Sequence, residues 1–222
     1  MSILTITTFL SIDGIMQAPG GPDEDRSNGF DRGGWQVPFA DDEGFGWVAE
    51  WFSQADCFLL GRKTYDIFAN YWPRVTDAHH PVAGPLNALP KYVASSKLQD
   101  PLWQNTTVLR GKVVDQIREL KRRPGREIQV HGSGDLAQTL IEHDLIDEYR
   151  MWVYPVMLGA GKRLFPTHPL TKSLRLVETR ITGTGVAVHV YRPAGAFTTG
   201  SFALSGAAQV ARAVSSASAS LA

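Results

Sequence analysis

Three polar segments follow directly after predicted strands, and their residue types suit phosphate binding. Gly61-Arg-Lys-Thr64 and Gly132-Ser-Gly134 are glycine turns, whereas Ser95-Ser96-Lys97 supplies hydroxyls and an ammonium group. In an open parallel sheet, ligands bind beyond the carboxyl ends of the strands, where helix N-termini present unpaired N–H groups to anions. Glycines at such positions can also serve only to permit a tight turn. Together, the three segments predict a long ligand with several phosphates, such as a nicotinamide dinucleotide with a 2′-phosphate.

The second candidate functional feature is a loop that contains aromatic residues. Residues 16–39, called the 16–39 segment below, are rich in glycine, proline and aspartate. A loop of this length in a compact domain is more often functional than passive. Trp35 and Phe39 lie in it without a helical or strand periodicity that would explain their burial. Trp35 is therefore predicted to belong to a lid over a flat heterocycle. The alternative is that it fills the core from a rigid loop.

Motifs for other chemistries are incomplete. Gly159-Ala-Gly161-Lys162 lacks the upstream glycine of a phosphate-binding P-loop, and Ser133 lacks the G-x-S-x-G register of a serine hydrolase. The Gly132-Ser-Gly134 turn has no acidic residue about twenty positions later, which a Rossmann dinucleotide fingerprint requires. Six histidines without zinc-type spacing and a single cysteine, Cys57, predict that no metal is bound.

The composition predicts a soluble protein without polyanionic partners. The chain has 222 residues, 43% of them hydrophobic and 20% charged, and its 22 basic residues balance its 22 acidic residues. This balance provides no overall field that would attract nucleic acid or an anionic membrane. The single cysteine excludes an intrachain disulfide, and the sequence has neither a secretory signal nor an apolar run of ~18 residues. We therefore expect a cytoplasmic protein that binds neither nucleic acid nor membranes.

Strand and helix patterns alternate along the chain and would place the polar segments at one edge of a sheet. They predict strands at residues 3–12, 57–60, 91–94, 106–109, 127–131, 149–156, 174–182 and 186–191, and helices near 45–55, 61–72, 113–120 and 136–141. The expected fold is an α/β three-layer sandwich with a mostly parallel central sheet and antiparallel C-terminal edge strands. Residues 1–193 would form this domain. The Ala/Ser-rich residues 194–222 would form a tail that is disordered or weakly helical.

One predicted strand carries large apolar residues on both faces. Tyr149, Met151 and Val153 alternate with Trp152 and Tyr154, so both faces of this strand should be covered. The helix layer of the domain can cover one face. A second subunit, or a further internal layer, can cover the other.

The order of several motifs along residues 2–193 resembles that of the dihydrofolate reductase-like family. These motifs are Ser11-Ile-Asp-Gly14, Met16-Gln-Ala-Pro-Gly-Gly-Pro-Asp-Glu-Asp25, Gly61-Arg-Lys-Thr-Tyr65, Gly132-Ser-Gly134 and Leu158-Gly-Ala-Gly-Lys-Arg-Leu-Phe165. Within that family, the chain is most similar to stand-alone proteins that resemble the C-terminal reductase domain of the riboflavin-biosynthesis bifunctional deaminase/reductase.

This resemblance implies an NADPH-dependent reductase that forms a homodimer. Hydride would pass to a C=N or C=O bond of a small heterocyclic or sugar-linked substrate, as in 5-amino-6-(5-phosphoribosylamino)uracil reductase. A folate or pterin reductase and a non-catalytic nucleotide-binding module are the alternatives. The implied cofactor-binding residues are Gly61, Arg62, Lys63, Thr64, Ser95, Ser96, Gly132, Ser133 and Gly134.

The resemblance also suggests residues that would contact the substrate. Riboflavin-type reductases place a substrate-binding glutamate just before the late glycine turn, and His131 occupies that place here. His131 and Trp35 are therefore the predicted substrate-binding residues. Folate reductases carry a carboxylate on the first helix, and the candidates for a catalytic acid in this chain are Asp42 and Asp13. The alternative role of Asp42 is to place negative charge at a helix N-terminus.

Overall fold

The computed structural model describes residues 1–165 and 170–202. Most of the predicted tail, residues 203–222, lies outside the described residues. The strands are β1 (Ile3–Ser11), β2 (Ala55–Gly61), β3 (Lys91–Ala94), β4 (Thr106–Leu109), β5 (Glu127–His131), β6 (Glu148–Tyr154), β7 (Leu174–Ile181) and β8 (Ala187–Pro193). The α-helices are α1 (Asp42–Phe52), α2 (Arg62–Tyr71), α3 (Ala83–Ala88), α4 (Val113–Arg122) and α5 (Gly134–Glu142).

The strands form one eight-stranded sheet in the order β4-β3-β2-β5-β1-β6-β8-β7. All pairings from β4 to β6 are parallel, whereas β8 pairs antiparallel with both β6 and β7. The strand nearest the N-terminus, β1, therefore lies in the interior of the sheet, between β5 and β6. The predicted mostly parallel sheet with antiparallel C-terminal edge strands is confirmed.

Alternate residues of β1 face two different helix layers. Leu4 and Ile6 join a buried cluster to which α4 and α5 contribute. Phe9 faces the opposite layer, where it packs edge to face on Trp152, and Trp51 of α1 packs on the same indole. α2 and α3 extend this second layer over β2 and β3. The sheet therefore lies between two helix layers, as the strand-helix alternation predicts.

The helices of the described residues are short. The longest, α1, has 11 residues, and none is long and apolar enough to cross a bilayer. α3 lies in a proline-rich connection for which the sequence pattern predicts no helix. Its Pro85 falls in the first turn, where a missing N–H is tolerated, and its Leu86 is fully buried. Burial of a single large side chain thus stabilises a helix too short to show periodicity.

Candidate cofactor and substrate site

The carboxyl ends of three neighbouring strands bring the three predicted polar segments together. Gly61 at the end of β2 pairs with Ala94 at the end of β3, so Ser95 follows beside Arg62. On the other side of β2 lies β5, whose following turn contains Ser133. The N–H of Gly61 donates to Ser133 Oγ at 3.0 Å, and the N–H of Ser133 donates to Thr64 Oγ1 at 3.1 Å. The two glycine turns are therefore in direct contact.

Two helices begin at this contact, and neither has a side-chain cap. α2 begins directly after Gly61, and α5 begins directly after Ser133. Gly132 has φ +54°, in the left-handed region that favours glycine, and it reverses the chain between β5 and α5. A Cβ on Gly61 would lie 3.4 Å from the Cβ of Ser133. The two turns therefore pack closely against each other, and the first N–H groups of both helices have no side-chain cap.

The basic side chains at this edge already have acidic partners. Arg62 is exposed and its Nε lies 2.7 Å from Asp66 Oδ2, one turn along α2. Lys63 Nζ lies 2.5 Å and Lys162 Nζ 2.8 Å from the buried carboxylate of Asp25. Burial opposes ionisation of Asp25, but the hydrogen bonds from Lys162 and Lys63 outweigh it and hold its pKa below the usual range. An anion at Lys63 would therefore share this cation with Asp25.

The serines after β3 differ in their surroundings. Ser95 Oγ accepts hydrogen bonds from the N–H groups of Lys97, at 3.2 Å, and Leu98, at 3.1 Å, so it stabilises its own turn. Ser96 is exposed. Both serines lie at the predicted edge, and Ser96 is the one with the freer hydroxyl.

The structure corrects the expectation that Trp35 has no reason to be buried. Its side chain is only 8% exposed, and its ring packs edge to face on Tyr154 with centroids 5.3 Å apart. The indole Nε1 donates to the carbonyl oxygen of Gln17 at 2.8 Å. This burial arises from a tertiary contact that no periodicity in a loop reveals. It favours the alternative in which Trp35 fills the core from a rigid loop.

The 16–39 segment as a whole is held at the carboxyl edge of the sheet. The amide of Gln17, 3% exposed, donates to the carbonyls of Asp25 and Ser27 and accepts from the N–H of Lys162. Asp25 adds its ion pairs with Lys63 and Lys162. The segment is therefore fastened both to α2 and to the chain after β6.

His131, the predicted substrate contact, is the last residue of β5 and is half-buried. Its ring stacks on Phe52 of α1 with centroids 4.6 Å apart. Its Nε2 lies 3.2 Å from Gln129 Oε1. Burial, together with the positive charge of Arg150, lowers the pKa of His131 to about 3. The imidazole is therefore neutral at physiological pH.

A buried polar network under α1 was not predicted. Arg150 Nη2 lies 2.7 Å from Glu127 Oε1, and Arg150 Nε lies 2.8 Å from Glu148 Oε1. Gln129 connects Glu127 to His131. The alternation of Glu127, Gln129 and His131 along one face of an otherwise apolar strand is the sequence signal that could have revealed it. Its far end borders a cavity of about 310 Å³ at the opposite edge of the sheet from the glycine turns.

The surroundings of Asp13 and Asp42, the two candidate acids, give each of them a structural role. Asp13 accepts hydrogen bonds from Ser11 Oγ and from the N–H groups of Leu158 and Gly159, and the Ser11 bond is the main cause that lowers its pKa to about 2. An ionised carboxylate of this kind holds the loop after β6. Asp42 is exposed in the first turn of α1, beside Asp41, whose side chain caps that helix through the N–H of Gly44.

Acidification below pH 6.5 is expected to destabilise the protein through His131. At pH values between the folded-state pKa of about 3 and the unfolded value of about 6.5, the unfolded chain binds more protons at His131 than the folded protein does. The free energy of unfolding therefore decreases as the pH is lowered through this range. The loss at pH 5 should be about 2 kcal/mol. Denaturant unfolding at pH 7 and pH 5 would measure it. His131→Gln should remove this difference, and the exposed control His143→Gln should keep it; equal differences in both variants would contradict a neutral buried His131.

Comparison with known proteins agrees with this architecture. The sequence profile of the RibD C-terminal domain matches residues 2–188. The chain is 31% identical over 144 residues to the uncharacterized protein YyaP of Bacillus subtilis strain 168. The aligned region covers 64% of this chain and 76% of YyaP.

Solved structures show the same fold. A protein from Shewanella sp. PV-4, described as a riboflavin biosynthesis protein, superposes with a TM-score of 0.62 at 21% identity, over 87% of this chain and 99% of that one. Dihydrofolate reductase from Enterococcus faecalis, solved with NADP(H), superposes with a TM-score of 0.56 at 14% identity, over 87% of this chain and 97% of that one. With a profile match over nearly the whole described domain, the chain belongs to the family of the RibD C-terminal domain.

Proposed function

We propose that this protein is an NADPH-dependent reductase that transfers hydride to a C=N or C=O bond of a small heterocyclic or sugar-linked substrate. The contact between Gly61 and Ser133 carries the proposal, because it joins two uncapped helix N-termini into one anion-binding surface. The fold is shared with a dihydrofolate reductase solved with NADP(H) and with a protein described as a riboflavin biosynthesis protein. When bound, NADPH would supply the hydride.

In this proposal the chain binds and orients the reactants. The turns at Gly61-Arg-Lys-Thr64 and Gly132-Ser-Gly134 would hold the pyrophosphate through backbone N–H groups. Arg62, Ser95 and Ser96 would lie at the 2′-phosphate, one strand further along the sheet. His131, the last residue of β5, would contact the substrate. The 16–39 segment would exclude water from this edge.

Arg62→Ala is expected to weaken NADPH binding about 10- to 100-fold and NADH binding much less. The guanidinium would make a charge-assisted hydrogen bond to the 2′-phosphate, and such bonds contribute about 1.5–3 kcal/mol. Titration calorimetry with both nucleotides measures the difference. The matched control is Arg118→Ala, which removes an equally exposed i,i+3 ion pair on α4 and should leave both affinities unchanged. Equal weakening of NADPH and NADH by Arg62→Ala would remove the 2′-phosphate from this position.

The function itself is tested by binding and turnover on the full chain. Calorimetry with NADPH comes first, followed by the decrease in NADPH absorbance with 5-amino-6-(5-phosphoribosylamino)uracil and, separately, with dihydrofolate. We expect NADPH binding and turnover of the uracil substrate. Failure to bind NADPH would overturn the proposal. Binding without turnover of either compound would favour a nucleotide-binding module, and turnover of dihydrofolate alone would favour a folate reductase.

We also propose that the protein forms a homodimer through the sheet face that α4 and α5 leave open. On this face Met151 and Val153 of β6 are only half-buried, and Leu176 and Ile181 of β7 are 49% and 66% exposed. Light scattering at micromolar concentration should give the mass of a dimer. Ile181→Lys should shift it toward the monomer, whereas Ile12→Lys, at an equally exposed position elsewhere, should not. A monomeric wild-type protein would contradict the dimer.

A further inference from the structure

The amide of Gln129 has only one orientation that its surroundings accept. Its Nε2 lies 2.6 Å from the carbonyl oxygen of Trp51 and 2.7 Å from Glu127 Oε2, and both of these atoms are acceptors. A flipped amide would place its oxygen against both of them, in a position where Gln129 is only 1% exposed. The amide oxygen therefore faces His131.

Arg150 and Glu127 enforce this orientation of the Gln129 amide. Arg150 has only donors, and its two Nη atoms approach the carboxylate of Glu127 at 2.7 and 3.1 Å. The guanidinium is itself fixed, because it donates to Glu148 and lies over the ring of Trp51. Glu127 must therefore accept, and Gln129 must donate to it through Nε2. Donor and acceptor roles are thus determined all the way from Arg150 to Gln129 Oε1.

The last member of this chain is the imidazole of His131. Since Gln129 Oε1 can only accept, the hydrogen bond at 3.2 Å requires the proton on His131 Nε2. A second proton on Nδ1 is disfavoured mainly by burial of the ring and also by the positive charge of Arg150. Glu127 lies in the same network, and its carboxylate already accepts hydrogen bonds from Arg150 and Gln129. Within the described residues, Nδ1 has no hydrogen-bond partner.

We propose that Gln129 is a positioning residue that locks His131 in its Nε2–H tautomer, so that the substrate site presents the lone pair of Nδ1 and selects ligands that donate an N–H there. This inference rests on the proposed function, in which His131 contacts the substrate. The ligand class is a heterocycle whose edge carries a ring N–H or an exocyclic amino group. A ligand that offers only carbonyl or ether oxygens at this point would face an acceptor and lose affinity.

The tautomer is tested by NMR of protein with ¹⁵N-labelled histidine at pH 7, which distinguishes protonated from unprotonated ring nitrogens. We expect His131 to show one protonated nitrogen, Nε2, and an unprotonated Nδ1. Gln129→Met, of similar size but without the amide, should give a mixture of tautomers. Gln138→Met, which removes the exposed amide that donates to the carbonyl of Arg163, should not change the His131 signals. A wild-type Nδ1–H tautomer would overturn the inference even if Gln129→Met fails to fold, and an unchanged tautomer in a folded Gln129→Met would overturn the role of Gln129.

Ligand selection is tested by titrating uracil and 1,3-dimethyluracil into the NADPH-saturated protein. Uracil, with two ring N–H donors, should shift the Nδ1 resonance of His131 upfield, and 1,3-dimethyluracil, which has none, should leave it in place. Gln129→Met should bind uracil about twofold more weakly, because only about half of its His131 rings would be in the Nε2–H form. Equal responses to the two pyrimidines, or none to uracil, would overturn the selection. Absence of NADPH binding would instead refute the proposed function, while the tautomer measurement in the free protein would stand independently.

Discussion

Replacement of Arg150 by methionine is expected to lower the free energy of unfolding by about 3–5 kcal/mol. The side chain of Arg150 is 4% exposed and lies between the carboxylates of Glu127 and Glu148, which are 6% and 7% exposed. Methionine fills a similar volume but leaves two buried carboxylates without this cation. Denaturant unfolding at pH 7, with midpoint and slope both recorded, measures the loss.

Arg192→Met provides the matched control for this prediction. Arg192 also pairs with Glu148, but it is 49% exposed and Glu148 keeps Arg150, so the cost should be below about 1 kcal/mol. A second signature separates lost charge from lost packing. In Arg150→Met, Glu127 loses its cation, whereas Glu148 keeps Arg192. The Glu127 carboxylate takes up a proton more readily in the folded variant than in its unfolded chain, so the deficit relative to wild type should shrink from pH 7 to pH 5. A deficit independent of pH, or equal to that of Arg192→Met, would contradict the role given to Arg150.

Trp35→Ala is expected to cost about 3–5 kcal/mol of stability, which corresponds to a fall in Tm of roughly 10 °C for a domain of this size. The substitution removes a ring that packs on Tyr154 and leaves the carbonyl oxygen of Gln17 without its indole donor. Thermal unfolding followed by circular dichroism would measure it. A mobile lid residue would instead show a large loss of turnover with little change in Tm.

Two controls separate the contributions to this effect. Trp35→Phe keeps an aromatic ring against Tyr154 and loses the hydrogen bond to Gln17, so we expect a smaller cost of about 1–3 kcal/mol. Val37→Ala, at a position in the same segment that is 54% exposed, should change the stability by less than about 0.5 kcal/mol. A Trp35→Ala variant as stable as Val37→Ala would restore the lid hypothesis.

The fold was predictable because its strands and helices are short, periodic and bounded by glycine or proline. The strands at residues 91–94, 106–109 and 127–131 are observed with the predicted bounds. The order of strands in the sheet was not predictable, because pairing of β1 with β5 and β6 depends on contacts between distant parts of the chain. Where local pattern was absent, as for α3, one buried leucine provides the stabilisation that periodicity normally signals.

At the candidate site, the sequence indicated where the site residues lie better than which side chains they bond to. Glycine turns after strands correctly indicated that the segments at Gly61 and Ser133 lie at the same edge of the sheet. Whether Lys63 is free or paired depends on Asp25, which reaches it from a loop 38 positions away in the sequence. The ion pair between Glu127 and Arg150 likewise depends on the register of β5 and β6, which lie on opposite sides of β1. Such contacts are fixed by the sheet and leave no spacing in the sequence.

The interior position of β1 has a consequence for biosynthesis. The Leu4 N–H donates to Asp147 across 143 positions of the sequence, so β1 is synthesised long before β6, the strand that completes its pairing. Closing such a long loop carries an entropic cost before any contact compensates it, which slows folding. Until β6 emerges, Ile6 and Leu10 of the nascent chain lack one neighbouring strand and expose apolar surface. The demand for chaperones should therefore fall on the growing chain rather than on the finished protein.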